Sequence, residues 1–349
     1  MVSGPGHGAV LDVEPPVPGP GQVVVDVARV GVCGTDVEFF TGEMDYLRTG
    51  HAAYPMRLGH EWCGRVSQVG DGVDAGWLGR RVTGDTMLGC GRCQRCLAGR
   101  HWVCAERSEI GIRSGFAGAL AEQLAVPAAA LLPLPDALDD VAGALVEPGG
   151  NAVRSVLAAD LASGERLLVA GLGTIGLLAA LVARSQGVEV HLVGRAGESG
   201  DFARSLGVEG AWDAEDLPAL RFDAVVDASN GTAVPARALE LVEPGRRVVL
   251  IGLAGAPSNI DSRALVLKDV TAVGILGASA GLAGAVAAYA GGAVDPRPLV
   301  AATVGLEEVA GVLAGRRPVG AGPGPKVHVD PRRLPECPFP RPSCGTVGG

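Results

Sequence analysis

The sequence predicts an α/β protein in which a β-rich region precedes a doubly wound parallel sheet. Three observations carry this. Up to about residue 150, short runs of alternating apolar residues are separated by Pro and Gly turns, the pattern of half-buried strands. From about 151, short apolar runs alternate with stretches of helical period, as in a parallel sheet covered on both faces. At the first of those strand-to-helix joints stands Gly171-Leu172-Gly173-Thr174-Ile175-Gly176.

In chain order, Pro15 to Gly21 is a turn region, and Gln22 to Val30 alternates as a strand with Val23, Val25 and Val27 on one face. Trp62 to Val69 is a second strand, ended by Gly70-Asp71-Gly72. Cys90 to Cys104 matches neither period and is expected to be a loop. Phe116 to Val126 and Ala129 to Leu134 return to a β-like pattern broken by Pro127, Pro133 and Pro135. The second region reads as strands at Arg166–Ala170, Glu189–Val193, Ala224–Ala228 and Arg247–Ile251. Helices are expected at Leu177–Ser185, around Phe202–Leu206 and at Ala233–Val242. Beyond these, Val270–Leu276 and Lys326–Val329 read as strands, and Ala280–Tyr289 and Leu306–Leu313 as helices. From Pro331 the chain is rich in Pro, Gly and Arg, and a disordered tail is expected.

The 349 residues suggest about two domains, and 48% apolar content supplies a large core. A net charge of −9 argues against nucleic acid, whose phosphates want a basic face. No long uninterrupted apolar run suggests a membrane span, and Met1 to Gly8 lacks the regions of a signal peptide. The protein is therefore expected in the cytoplasm, where its eight cysteines are metal ligands or plain thiols rather than disulfides.

Three motifs carry chemistry. Cys33, with Gly59-His60-Glu61, offers a thiol, an imidazole and a carboxylate, the ligand types of a catalytic zinc with an open position. Cys90-x2-Cys93-x2-Cys96-x7-Cys104 places four thiols in one short segment. Four thiolates close a tetrahedral zinc site, which makes it structural; an iron–sulfur cluster is the rival reading. Gly171-x-Gly173-x-x-Gly176, after a strand and before a helix, suits a dinucleotide whose diphosphate rests on free N–H groups. The next strand ends Val193-Gly194-Arg195, with no carboxylate for a ribose 2′-hydroxyl. Glycine gives room and arginine charge for a 2′-phosphate, which predicts NADP over NAD. The alternative leaves Arg195 solvated and gives the ribose to Glu198.

Together these elements resemble the zinc-dependent medium-chain dehydrogenase/reductase family, over about Gln22 to Val329. Gly59-His60-Glu61-x2-Gly64-x5-Gly70-x2-Val73 is similar to its zinc signature, and Gly31-Val32-Cys33-Gly34-Thr35-Asp36 to its first-ligand segment. The resemblance implies a GroES-like catalytic domain, residues 1–151 and 275–349, and a Rossmann domain, residues 152–274. It implies a catalytic zinc on Cys33 and His60, with Glu61 a carboxylate that joins or leaves the metal. Leu145-Val146-Glu147-Pro148 resembles the segment that supplies a Glu ligand in the polyol and sugar branch, which adds Glu147. Thr35 would pass the substrate proton outward and Asp36 would orient His60. Cys90, Cys93, Cys96 and Cys104 would hold a second zinc. Gly149-Gly150, where that branch has bulkier residues, suggests a looser pocket wall.

The implied reaction is reversible hydride transfer between NAD(P) and a secondary alcohol or polyol, such as a sugar or cyclitol. The nicotinamide would lie near Ser229, Gly252 and Leu253, past the strand ends. A homodimer or homotetramer is implied. Alternatives are a reductase of an enone or ketone, and a catalytically silent ligand-binding relative.

Overall fold

The computed structural model describes residues 1–333 except Ala196, and all described side chains but that of Glu198. The remainder of the predicted tail, residues 334–349 with Cys337 and Cys344, lies outside the described residues. Two sheets dominate. The first contains β1 (Gln22–Gly31), β2 (Glu61–Val69), β3 (Arg81–Gly84), β4 (Gln123–Pro127) and β5 (Leu131–Pro133). The second contains β6 (Arg166–Ala170), β7 (Glu189–Val193), β8 (Gly210–Trp212), β9 (Phe222–Asp227), β10 (Val242–Leu250) and β11 (Thr271–Gly274). The chain then returns to the first sheet with β12 (Val300–Val304) and β13 (Lys326–Val329).

In the first sheet the order is β12-β13-β1-β2-β3-β5, and β4 also pairs with β1. β1 is its centre, antiparallel to β2, β4 and β13. Val23, Val25 and Val27 share a buried face as predicted, but Val24 is fully buried too, because β1 has packed structure on both sides. The second sheet runs β8-β7-β6-β9-β10-β11, all parallel, an order that reverses beside β6. Leu167, Leu168, Val169, Val190, Leu192 and Val226 have no exposed surface, as strands covered on both faces require.

Several elements were not legible in the sequence. Helix α1 (Gly34–Thr41) follows β1, where no helix was expected. Helix α2 (Val146–Ala159) bridges the two sheets' cores: Val146, Ala152, Val153, Val156 and Ala159 join one apolar cluster with Leu167, Leu177 and Cys63. Its Pro148, Gly149 and Gly150 disguise it, although Pro in a first turn is compatible with a helix. The cysteine segment is no plain loop; it holds a helical turn at Gln94–Leu97 and a 3-10 turn at His101–Val103. Phe116 to Ala121 is irregular rather than a strand. Helix α3 (Thr174–Ser185) begins three residues earlier than the apolar period suggested. No helix among the described residues is long and apolar enough to cross a membrane.

The glycines at 149 and 150 do not loosen a pocket wall. A Cβ at Gly149 would lie 2.1 Å from Tyr289 Oη, and one at Gly150 would lie 3.0 Å from Ala278 Cβ. Tyr289, on α4 (Leu282–Ala290), fills that space and donates its hydroxyl to Leu145 O at 3.2 Å. The expected wall is therefore a tight helix–helix contact between α2 and α4. Gly149→Ala should lower unfolding stability by about 1–3 kcal/mol through overpacking. The loss should shrink when Tyr289→Phe removes the clashing oxygen, a coupling measurable by a denaturant double-mutant cycle.

Candidate active site

β1 and β2 pair with Gly31 opposite Glu61. Cys33 lies two residues past β1 and caps α1, and His60 immediately precedes β2, so the pairing brings thiol and imidazole to one sheet end. Gly59 turns the chain into His60 at φ +99°, and a Cβ there would lie 2.8 Å from Leu120 N, so a side chain is excluded. Asp36, in the first turn of α1 and fully buried, ties the two segments together. Its Oδ2 accepts the Cys33 N–H at 2.9 Å, its Oδ1 accepts the Gly59 N–H at 3.2 Å, and Oδ1 lies 3.5 Å from His60 Nδ1. Burial would raise the Asp36 carboxyl, but the His60 ring and these two N–H groups hold it low. Thr35 stands beside it, half-buried.

The donor atoms of Cys33, His60 and Glu61 all lie within 4.8 Å of one another. Sulfur, imidazole nitrogen and carboxylate oxygen suit zinc. His60 Nδ1 is buried and has no hydrogen bond among the described residues, with Asp36 its near acceptor. A cation on Nε2 would place the ring proton at Nδ1, facing Asp36. The residues therefore fit a metal. Glu147 stands outside this group of three. It is buried in the first turn of α2 and accepts the Asn151 amide at 3.1 Å. Burial pushes its carboxyl up to about 7, with the charge of Glu61 adding and that of His60 opposing. Lys326, unremarked in the sequence, is buried with Glu61, its Nζ 2.7 and 2.9 Å from the two carboxylate oxygens.

Cys90, Cys93, Cys96 and Cys104 also gather within 4.8 Å. Cys90 and Cys96 sulfurs are 3.9 Å apart, and those of Cys93 and Cys104 3.8 Å. A tetrahedron with zinc–sulfur bonds of about 2.3 Å has its sulfurs about 3.8 Å apart. The lobe is anchored by His101, whose Nε2 lies 2.7 Å from Asp85 Oδ2; Ser279 Oγ donates to the other oxygen at 2.9 Å. Trp102 lies under the Arg154 guanidinium, 5.0 Å away, and Arg154 also donates to Gly277 O. No sequence pattern pointed to these partners, which are far apart in the chain.

The glycine-rich turn joins β6 to α3. Gly171 has φ +115°, and a Cβ there would lie 2.7 Å from Ala228 O; one at Gly176 would lie 2.0 Å from Gly171 O. At Gly173 a Cβ would meet nothing within 4 Å, so that glycine faces open space before the helix. Leu172, Thr174 and Ile175 are half-buried around it. Gly194 and Arg195 follow the neighbouring β7; a Cβ at Gly194 would strike Leu172, and Arg195 is exposed. Glu198, the alternative ribose partner, has its side chain outside the described residues. Ser229 follows β9 and Gly252-Leu253 follow β10, at the same carboxyl end of the sheet. Asp227, also unremarked, accepts Ser229 N–H and Oγ–H at 2.9 and 2.7 Å, and its carbonyl accepts the Gly252 N–H at 2.9 Å.

Residues 19–136 match the model of the alcohol dehydrogenase GroES-like domain, and residues 174–290 that of the zinc-binding dehydrogenase. An L-threonine 3-dehydrogenase of Idiomarina loihiensis is 34% identical over 77% of this chain and 80% of that protein. One of Deinococcus deserti is 33% identical over 77% and 80%. Among solved structures, a zinc-binding dehydrogenase of Sinorhizobium meliloti bound to NADP superposes with TM-score 0.84, at 29% identity, covering 93% of this chain and 96% of that one. Galactitol-1-phosphate dehydrogenase of Escherichia coli gives 0.81, at 26% identity over 92% and 96%. A GroES-like region, a Rossmann sheet and relatives above 30% identity across most of the chain agree. The chain belongs to the zinc-dependent medium-chain dehydrogenase/reductase family and is an NAD(P)-dependent oxidoreductase acting on CH–OH groups.

Proposed function

We propose that the chain oxidises a secondary alcohol flanked by polar groups, a polyol, sugar or cyclitol, and runs the reverse reduction with NADPH. The observation that carries this is the convergence of the Cys33, His60 and Glu61 donor atoms within 4.8 Å. Cys33, His60 and one of Glu61 or Glu147 would hold a catalytic zinc, and Cys90, Cys93, Cys96 and Cys104 a structural one. When bound, that zinc would supply Lewis acidity at the substrate oxygen, and NADP would supply the hydride acceptor. Thr35 takes the substrate hydroxyl proton at Oγ1 and passes it outward. Asp36 holds the His60 ring in one orientation. Gly171, Leu172, Gly173, Thr174, Ile175 and Gly176 receive the diphosphate on the N-terminus of α3. Ser229, Gly252 and Leu253 border the nicotinamide. A second reading, L-threonine as substrate, is favoured by the relatives named L-threonine 3-dehydrogenase; its 3-hydroxyl is also a secondary alcohol.

A dimer or tetramer is part of the proposal. Edge strand β11 has exposed Thr271, Ala272 and Gly274, and Val266 and Leu267 nearby are 79% and 85% exposed. An unpaired edge beside apolar side chains favours a second copy. Light scattering should give a mass of at least twice 35.2 kDa.

A dehydrogenase screen with sugars, cyclitols, polyols and L-threonine, each with NAD and NADP, tests the substrate class. His60→Ala should abolish turnover with circular dichroism unchanged; retention of most activity would refute the metal assignment. Arg195→Ala should cut kcat/KM for NADP roughly 10- to 100-fold, the worth of one or two charge-assisted hydrogen bonds, and leave that for NAD unchanged. Equal loss for both cofactors would remove Arg195 from the 2′-phosphate.

A further inference from the structure

We propose that Arg113, backed by Arg107, binds an oxyanion of the substrate beside Cys33 and His60, so that the alcohol carries a carboxylate or a phosphate. This rests on the dehydrogenase reading given above. The short strands Met87–Leu88 and Ser108–Glu109 pair antiparallel, with Met87 opposite Glu109. Residues directly opposite in such a pair project to one face. On that face Met87 meets the junction of the two sheets: a Cβ on Gly277, where the chain returns from β11, would lie 2.8 Å from Met87 Cε. The same strand pair leans on the His60 segment. Thr86 Oγ1 donates to His60 O at 3.2 Å, Ile110 N–H donates to Thr86 O at 3.0 Å, and a Cβ on Gly111 would lie 2.8 Å from Gly59 O.

Glu109 gathers charge there. Its Oε1 accepts the Arg107 Nε–H at 2.7 Å and the Tyr46 hydroxyl at 3.4 Å, and Arg107 Nη2 donates to Tyr46 Oη at 3.1 Å. Burial raises the Tyr46 hydroxyl, which therefore adds no charge. Arg113 stands apart. Its Nη1 is 4.0 Å from Glu109 Oε1 and its guanidinium carbon 5.7 Å from the Tyr46 ring centre, and the guanidinium makes no hydrogen bond among the described residues. The side chains of Arg107 and Arg113 are each 13% exposed, and that of Glu109 is 4% exposed. Two guanidiniums thus face one carboxylate, which leaves one positive charge in excess where water is largely excluded. A charge removed from water and unpaired is costly, so a second anion is favoured. A guanidinium presents a planar fork that matches the two oxygens of a carboxylate or phosphate. The Tyr46 ring and the Arg113 backbone, whose carbonyl accepts the Glu109 N–H at 3.2 Å, hold that fork in place.

The test is calorimetric titration of the full chain loaded with zinc and NADPH, the reduced cofactor preventing oxidation of the alcohol. The probes are three pairs: D-gluconate and D-glucitol, galactitol 1-phosphate and galactitol, L-threonine and L-threoninamide. The anionic member of at least one pair should bind roughly 10- to 100-fold tighter than its partner, the worth of one or two charge-assisted hydrogen bonds. The carboxylate and phosphate pairs tell the two sources of the oxyanion apart. Arg113→Gln should remove that preference and leave the partner's affinity unchanged. Glu109→Gln, which deletes the competing carboxylate, should tighten the anionic member alone. A merely structural arginine would move both members of a pair together. Binding of every pair without preference, binding of no member, or a preference that survives Arg113→Gln overturns the proposal. If Arg113→Gln does not fold, Arg113→Lys, which keeps the charge but loses the fork, should lower the preference; an unchanged preference in it and in Glu109→Gln overturns the proposal. Turnover of the neutral polyols with no anion preference leaves the dehydrogenase reading standing. Turnover of none of the six with either oxidised cofactor is the failure of that reading, and the calorimetric preference is measured regardless.

Discussion

The site depends on one buried carboxylate. Asp36 receives two backbone N–H groups from segments far apart in the chain, one from Cys33 and one from Gly59, and faces the ring of His60. Each buried donor left unsatisfied would cost about 1–3 kcal/mol, so the carboxylate and the two chain turns hold one another in place. The thiol and the imidazole are thereby tied to one another through the chain's own hydrogen bonds. Preorganisation of this kind reduces the reorganisation that a bound ion or substrate would otherwise demand.

Around that point the molecule adds to its local hydrogen bonds a buried ion pair and contacts of long sequence separation. Lys326 reaches Glu61 across 265 positions. Ser279 reaches Asp85 across 194, so the four-cysteine lobe is tied through His101 and Asp85 to the segment following the parallel sheet. Helix α2 carries Glu147 at its first turn, and its later residues pack into the core of that sheet. Glu147 and the glycine-rich turn before Leu177 are thus joined to one continuous apolar cluster. Packed interiors transmit small displacements, which suits a reaction between two separately bound partners.

Much of the architecture was legible because it repeats local rules. Strands buried in a parallel sheet are largely apolar runs, and Arg166–Ala170 and Glu189–Val193 matched residue for residue, as did the alternating Lys326–Val329 of the first sheet. The glycine-rich turn between strand and helix was legible because a positive φ at Gly171 and close packing at Gly176 leave glycine no substitute. The helix at Val146–Ala159 was not, since Pro148, Gly149 and Gly150 are poor helix formers and tertiary burial overrides their propensity. The glycine pair there suggested a loose wall, whereas Tyr289 from another helix fills the space.

The chain by itself determined which atoms are available: thiols, an imidazole and carboxylates at ligand spacing, and glycines where backbone must come close. Those depend on residue identity within a few positions. Which of them meet was decided only by the folded structure. Lys326 as the counter-ion of Glu61 and Asp85 as the partner of Ser279 arise from contacts across long separations. A lone Lys or Asp carries no periodicity that announces a partner hundreds of residues away. Its charge acquires meaning only once burial removes water and leaves one neighbour within reach.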